Sequence, residues 1–526
     1  ELNNHKYFDQ DVVANLENKG VFLAGYNIKP MDIPLSVVSG SAAAAKASER
    51  LSGSRFNKIV EKQFPEEKKV TADDEPRIGV MVCHCGINIG RTVDVKRVAD
   101  EILNEPNVEA AIHNYYSCSS DSQVTIKEMI EEHNLNRFIV ASCTPRTHEP
   151  LFRVTLQESG LNPYLFELVN IREHVSWVHM SEPEDATQKA IDLLKMNVAK
   201  VRKLLPQQRE KIDVTKSALV IGGGPAGLYA ADNLVNQGMD VFLVEKEAKL
   251  GGSINKISRK LLLPNELQVV SRVDDIIAKI VKNKGIKVYT SAHIDDISGF
   301  VGNYSVTIAT GDTTEKVKVG GIVVATGVAQ DADISSVIKE KPAKVYTQEE
   351  FEELLDAGNL DGIKNIGFIQ CTNQRHDGNI TGDFPNCSGI CCKITLKQAK
   401  LFHEQVPNGN VMIIQRGMQL SGDIQNEILF DEVQQFAAIT RYSPENYPTI
   451  SPLEDGINLE FNERNIGEDL SVKLDAVVLA TPYRSMPNTK DLAMQLKVPV
   501  THDGFFLEAH VKLRPVDFAT EGVFLA

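Results

Sequence analysis

From Arg77 onward, apolar positions fall into short runs, each followed by a stretch with helical spacing. The run "IGVMVCHC" (78–85) has no polar alternation and predicts a strand buried on both faces, while "VDVKRVADEIL" after it predicts an amphipathic helix. "VEAAIHNYYSC", "VTIKEMIEEH" and "RFIVASC" repeat the alternation, so an α/β domain is expected over 78–205. The helical stretch "EDATQKAIDLLKMNVAKVRKL" is expected to connect it to the next domain. There, "KSALVIGGGPAGLYAADNLVNQGMDVFLVEKEAKLGG" (216–252) reads as strand, glycine turn, helix and strand. The later apolar runs "GGIVVATG", "IKNIGFIQ", "NVMIIQ" and "AVVLATPYRS" extend this domain over 206–526. Within it, a second dinucleotide-like domain is expected at about 335–480.

The two ends share "GVFLA", at 20–24 and 522–526. Residues 1–50, with a small-residue helix beginning near Ser36, read as the C-terminal tail of an upstream module of the kind that ends the chain. Residues 51–77 are charged, lack apolar periodicity and read as a linker.

At 526 residues the chain is too long for one core. A net charge of −15 argues against nucleic-acid and anionic-membrane partners. No run of about 18 apolar residues marks a transmembrane segment. Eight cysteines in a chain of this length make no disulfide scaffold. Clustered in a chain that reads as cytoplasmic, they point to metal binding or redox chemistry.

Gly222, Gly224 and Gly227 form G-x-G-x-x-G, with Pro225 and Ala226 inside it. The first two glycines allow a tight turn and close approach of a pyrophosphate, and Gly227 lets the helix lie against the strand. Glu245 closes the next strand, where an acid accepts hydrogen bonds from a ribose, and Lys246 follows it. Strand, helix and acid together make the motif specific. In the second dinucleotide-like domain Cys371 stands where a phosphate-binding loop should start, and Cys387, Cys391 and Cys392 follow in place of glycines. Direct use of a nicotinamide cofactor there is therefore not expected. The residues leave several readings of these thiols open: buried core cysteines, a Cys391/Cys392 dithiol, a zinc site or an iron–sulfur cluster. Cys83, Cys85, Cys118 and Cys143 end three strands and would gather on one sheet edge.

"EKEAKLGG", with Gly251 and Gly252, and "GGIVVATG", with Ala325, Thr326 and Gly327, resemble the flavoprotein disulfide-reductase superfamily, which implies FAD. "CHCG" (83–86), "SCS" (117–119), "ASCTPRTHEPLFR" (141–153), "GLNPYLFELVNIREHVSWVH" (160–179) and "C…CSGICC…LKQA" (371–399) resemble the A-type subunits of heterodisulfide reductases. The flavin subunits of the quinone-interacting oxidoreductase complex are similar in the same way. The resemblance implies a thioredoxin-reductase-like two-Rossmann flavoprotein fold behind an N-terminal α/β cluster-binding domain. It implies two [4Fe–4S] clusters, one on Cys83, Cys85, Cys118 and Cys143, the other on Cys371, Cys387, Cys391 and Cys392. It also implies electron transfer, with flavin-based bifurcation within the family's range. The expected partners are subunits of a heterodisulfide-reductase-like or hydrogenase/dehydrogenase complex and ferredoxin-type carriers. The alternative is a pyridine-nucleotide-disulfide-reductase-like flavoprotein using Cys391 and Cys392 as a dithiol. His84 reads as a structural histidine or a hydrogen-bond donor to a cluster, Arg146, Arg153 and Arg172 as holding the domain interface or a carboxylate, and Trp177 is expected to pack under the interdomain helix.

Overall fold

Six consecutive buried residues make Ile78–Cys83 a central strand, β1, because a run without polar alternation has no face to give to water. In the computed structural model, residues 10–28, 31–256, 264–330, 334, 338, 341–375, 386–420, 424–443 and 445–526 are described. The expected start of the insertion, near 335, lies outside them. The chain divides into two units: Phe56–Ile212, and Asp213–Ala526 together with the N-terminal segment up to Arg55.

In the first unit β2 (Val108–Asn114), β3 (Arg137–Ser142) and β4 (Phe166–Asn170) join β1 in a parallel sheet of order β2-β1-β3-β4. The winding reverses at β1, and open α/β sheets place ligands at the C-terminal edge beside such a reversal. The helix expected to connect domains, Pro183–Val201, belongs to this unit's core. It buries Ala186, Ala190, Ile191, Leu194, Val198 and Val201 against the same cluster as β1, because its apolar residues recur at helical spacing along one face.

The second unit opens with β5 (Ser217–Ile221), β6 (Asp240–Val244) and β7 (Ile286–Tyr289), then an antiparallel meander of β8 (Ala292–Phe300), β9 (Asn303–Thr310) and β10 (Thr313–Val319). After β11 (Gly321–Val324), the chain enters an insertion through β12 (Val328–Gln330). The insertion holds β13 (Val345–Thr347), β14 (Asn365–Ile369), β15 (Asn410–Gln415), β16 (Ala437–Arg441) and β20 (Ala476–Leu479). A meander of β17 (Thr449–Leu453), β18 (Gly456–Glu463) and β19 (Glu468–Leu474) interrupts them. The chain leaves through β21 (Tyr483–Ser485), antiparallel to β12, and ends on β22 (Val523–Leu525). The two parallel sheets have orders β22-β11-β5-β6-β7 and β13-β20-β14-β15-β16. The unit is thus α/β with two Rossmann-type sheets, as expected.

The helix Ile33–Leu51 begins before Ser36 because Asp32 caps it, accepting from the Leu35 N–H at 2.8 Å. It lies against the helix Pro225–Asn236. Asn233 donates to Glu49 at 3.3 Å, and Arg55, just beyond, donates to Gln237 at 3.1 Å.

Thr347 caps the helix Gln348–Ala357 with a reciprocal pair of bonds: its hydroxyl accepts from the Glu350 N–H, and the Glu350 carboxylate accepts from the Thr347 N–H at 2.7 Å. Thr347→Ala is expected to lower stability by about 1 kcal/mol, read as a shift of the urea midpoint at unchanged slope.

Candidate functional site

The dinucleotide cradle is set by contacts that no side chain would survive. Gly222, at φ 114°, would bring a Cβ to 2.2 Å from the Ala325 carbonyl oxygen. A Cβ on Gly227 would lie 1.9 Å from the Gly222 carbonyl oxygen. The turn after β5, the helix Pro225–Asn236 and the end of β11 are therefore locked backbone to backbone. Gly224 caps that helix without a side chain, and Pro225 occupies its first turn, where a missing N–H costs nothing. The donors that follow it, from Ala226 and Gly227, face the open end where an anion is favoured.

Glu245 is buried beside this turn. Its Oε2 accepts from the Gly223 N–H at 2.6 Å and its Oε1 from the Glu247 N–H at 2.8 Å. Each oxygen keeps acceptor capacity for a ribose hydroxyl. The Gly251 N–H donates to the Gly223 carbonyl at 2.8 Å, and a Cβ on Gly252 would stand 2.9 Å from Gly224 Cα. The second glycine pair thus closes over the first. Thr326 is half-buried beside Ala325, and Gly327 (φ 67°) borders open space, with nothing within 4 Å of where its Cβ would be. Lys246 is exposed at the rim. The backbone-walled trough, with its buried carboxylate at one end, fits a dinucleotide.

The first thiol set sits on the C-terminal edge of the β2-β1-β3-β4 sheet. Cys83 ends β1, Cys143 follows β3 and Cys118 precedes the helix Ser120–Glu132. Cys83 Sγ accepts the N–H of Cys85 at 3.2 Å and of Ser117 at 3.3 Å. Cys143 Sγ accepts from the Thr147 hydroxyl at 3.5 Å, and Cys85 Sγ from Arg172 Nη1 at 3.6 Å. Burial pushes the Cys83 and Cys118 thiols up, and the charges of Cys143 and Cys85 reach Cys118 as well. Arg172 also donates through Nε and Nη2 to Glu173 Oε1, at 3.2 and 2.7 Å. Burial pushes the Glu173 carboxyl up, but Arg172 and the backbone donors together bring it below the usual range. Trp177 does not lie under the Pro183–Val201 helix: it is 45% exposed, with the Arg172 guanidinium 5.0 Å over its ring. His84 pairs with His113 at 3.1 Å and stacks on Tyr115, and desolvation with the His113 charge lowers its pKa. Arg153 holds the Glu149 carboxylate through Nε at 2.9 Å.

The second set stands on the C-terminal edge of the inserted sheet, where a glycine loop would cradle phosphates. Cys371 follows β14, and Cys391 and Cys392 begin the helix Cys391–Gln405. Cys371, Asn373 and Arg375 all have positive φ, 62°, 54° and 61°. Non-glycine residues there cost about 1–3 kcal/mol each, and such strain gathers at functional sites. Arg375 Nη1 donates to Cys371 Sγ at 3.6 Å and to the Gly417 carbonyl at 3.0 Å. Gln374 donates to Cys391 Sγ at 3.4 Å, and the Gly389 N–H to Cys387 Sγ at 3.4 Å. Gln348 holds the Cys391 carbonyl at 2.8 Å. Burial pushes the Cys371 thiol up to about 11. The adjacent thiols Cys391 and Cys392 act on each other, which draws Cys392 down and raises Cys391.

Cys371, Cys391 and Cys392 stand at the edge after β14, and the donor set suits iron–sulfur ligation: soft thiolates with N–H donors already aimed at the sulfurs. Among the described residues, no three His, Cys, Asp or Glu side chains are grouped as a single-ion site. Sequence reading missed Arg375 and Gln374; their signal is their place in the turn directly after Cys371.

Residues 220–273 match the family described as NAD(P)-binding Rossmann-like domain. One of the CoB–CoM heterodisulfide reductase iron-sulfur A-type subunits of Methanopyrus kandleri is 33% identical over 86% of this chain and 82% of its own length. The A-type subunit of the H(2):CoB-CoM heterodisulfide,ferredoxin reductase of Methanothermobacter marburgensis is 31% identical over 88% of this chain and 82% of its own. Among solved structures, T. acidophilum thioredoxin reductase is 15% identical over 60% of this chain and 90% of that one, with a TM-score of 0.39, too remote to argue from. No helix among the described residues is long and apolar enough to cross a membrane. The dinucleotide turn, the two thiol sets and identity along most of both chains agree: the chain belongs to the family of heterodisulfide reductase A-type subunits and is an oxidoreductase.

Proposed function

We propose that the chain is the FAD- and [4Fe–4S]-containing electron-transfer subunit of a heterodisulfide-reductase-like complex. One observation carries this reading. The inserted sheet keeps the dinucleotide fold, while a strained cysteine turn and the Cys391–Cys392 helix start replace its phosphate loop. Gly222, Gly224, Ala226 and Gly227 then bind the FAD pyrophosphate through backbone, Glu245 orients the ribose, and Gly251, Gly252 and Ala325–Gly327 shape the wall beside the ring. Cys83, Cys85, Cys118 and Cys143 hold one cluster, and Cys371, Cys387, Cys391 and Cys392 the other. FAD supplies the exchange between electron pairs and single electrons, including bifurcation as the family resemblance carries it, while the protein sets distances and potentials. The domains in this reading are an upstream module's tail (1–50), a linker (51–77), a cluster domain (78–205) and the flavin domain (206–526). Partner subunits, ferredoxin-type carriers and a cytoplasmic location complete it.

A second reading has its own observation. Cys391 and Cys392 are adjacent in sequence, both buried, and act on each other electrostatically, as a dithiol flavoprotein would need. Neighbours at a helix start project in different directions, however, and bridging them strains the backbone.

Iron, zinc and flavin content of anaerobically purified protein, with EPR before and after dithionite, decides between them. About eight irons and one FAD per chain are expected for two clusters. FAD without iron, with thiols at 391 and 392 that exchange with the flavin, would establish the dithiol flavoprotein instead. Stoichiometric zinc would establish a scaffold.

A further inference from the structure

Each thiol set has one arginine directed at one sulfur, and the two arginines stand in different charge environments. Arg172 reaches Cys85 Sγ at 3.6 Å through Nη1, while its other two donors are spent on Glu173 Oε1. Glu173 Oε2 is buried with no hydrogen-bond partner among the described residues, on a side chain that is 25% exposed. Arg375 reaches Cys371 Sγ at the same 3.6 Å, and its other partner among the described residues is a neutral carbonyl, that of Gly417. Arg375 also reaches Cys387 and Cys392 electrostatically, and Arg416 acts on Cys371 in the same sense. Nη1 of Arg416 is buried without a hydrogen-bond partner among the described residues.

We infer that Arg172 and Arg375 tune the reduction potentials of the two clusters, and that Glu173 mutes the first, whereas no carboxylate among the described residues pairs with Arg375. This rests on the reading that both thiol sets hold clusters. Taking up one electron makes a thiolate-ligated cluster one unit more negative. A cation or N–H donor at a ligand sulfur therefore stabilises the reduced form and raises the potential. A carboxylate paired to that cation takes back much of the effect. Burial of Cys371, Cys391 and Cys392 at 2–3% exposure works the other way, since charge is harder to add in a dry site. The same dryness strengthens the action of Arg375 and Arg416 on these sulfurs. Substitution removes the cation and leaves the burial, so the two effects separate.

Both arginines are positioning residues, and potential is the readout a purely structural role would leave alone. The experiment is EPR-monitored potentiometric titration of the anaerobic full chain, wild type against Arg172→Gln, Glu173→Gln and Arg375→Gln, with iron counted in each. Arg375→Gln is expected to lower one reduction step by about tenfold in its equilibrium constant, ~59 mV for one electron. Arg172→Gln should lower the other step by less. Glu173→Gln should raise that same other step, because it frees the charge of Arg172. If Arg375→Gln loses iron, Arg416→Gln takes its place, with the same step expected to fall. An unmoved step in the Arg375 or Arg416 variant at full iron overturns the inference. So does movement of Arg172→Gln and Glu173→Gln in the same direction. A wild-type chain without iron overturns instead the reading on which the inference rests.

Discussion

Gly227→Ala is expected to yield protein that has lost its flavin and melts at lower temperature. The added methyl has nowhere to go: its position lies 1.9 Å from the Gly222 carbonyl oxygen, 3.0 Å from that carbonyl carbon and 3.3 Å from the Ala325 Cβ. Two of these neighbours are backbone, so no side chain can swing aside to make room. Either the helix Pro225–Asn236 lifts from β5 or the glycine turn deforms. Both move the backbone donors that would meet a pyrophosphate. Overpacking of this kind costs typically 1–3 kcal/mol in stability. The loss in flavin affinity should be larger, because the turn is itself the proposed binding site. Flavin absorbance after gel filtration and a thermal melt check both arms. Gly40→Ala is the control: Gly40 lies in the helix Ile33–Leu51, and a Cβ there meets nothing within 4 Å. That change should leave flavin content alone and raise helix stability by roughly 0.5–1 kcal/mol. Normal flavin in Gly227→Ala would remove the glycine motif from the proposed site.

The cradle was legible because its physics is local. A strand, three glycines at fixed spacing and an acid at the end of the next strand need few residues to be recognised, and the structure places Gly222, Gly227 and Glu245 at one sheet edge. The alternation of apolar runs and helical stretches likewise carried all three parallel sheets. The Pro183–Val201 helix falls within the domain expected over 78–205, and its apolar stripe joins the core around β1. The failures came where periodicity is silent about the partner. Trp177 looked like a packing residue because tryptophan is large. Its ring instead serves the Arg172 guanidinium at half exposure, a contact set by the turn at Arg172–Ser176. Arg375 was unreadable for a related reason. Its side chain reaches Cys371 only because residues 371, 373 and 375 adopt positive φ, and composition does not announce that for Cys, Asn or Arg.

Single cysteine replacements carry the other large effect. Cys391→Ser is expected to remove about half the iron, and Cys118→Ser the other half, each leaving FAD in place, as two clusters of about four irons require. One compact unit holds Cys83, Cys85, Cys118 and Cys143, and the other holds Cys371, Cys387, Cys391 and Cys392. A serine oxygen is a harder and poorer ligand for this iron than a thiolate, so each site fails by itself. The folds should survive. The sheet around Cys391 rests on Phe351, Phe368, Leu396 and Phe402, all buried and none dependent on a sulfur. The sheet around Cys118 rests on Met81, Phe138 and Phe152 in the same way. The EPR of each variant should therefore show one reduced signal where the wild type shows two. Loss of all iron from either substitution would mean a single shared cluster, and the two four-cysteine sets would have to be redrawn. Full iron in both variants would place the metal elsewhere. Flavin lost together with iron in Cys391→Ser would tie the inserted sheet to the cradle, through the helix Gln348–Ala357 that carries Gln348 to the Cys391 carbonyl and Glu349 to Lys256 at 3.3 Å beside Gly252.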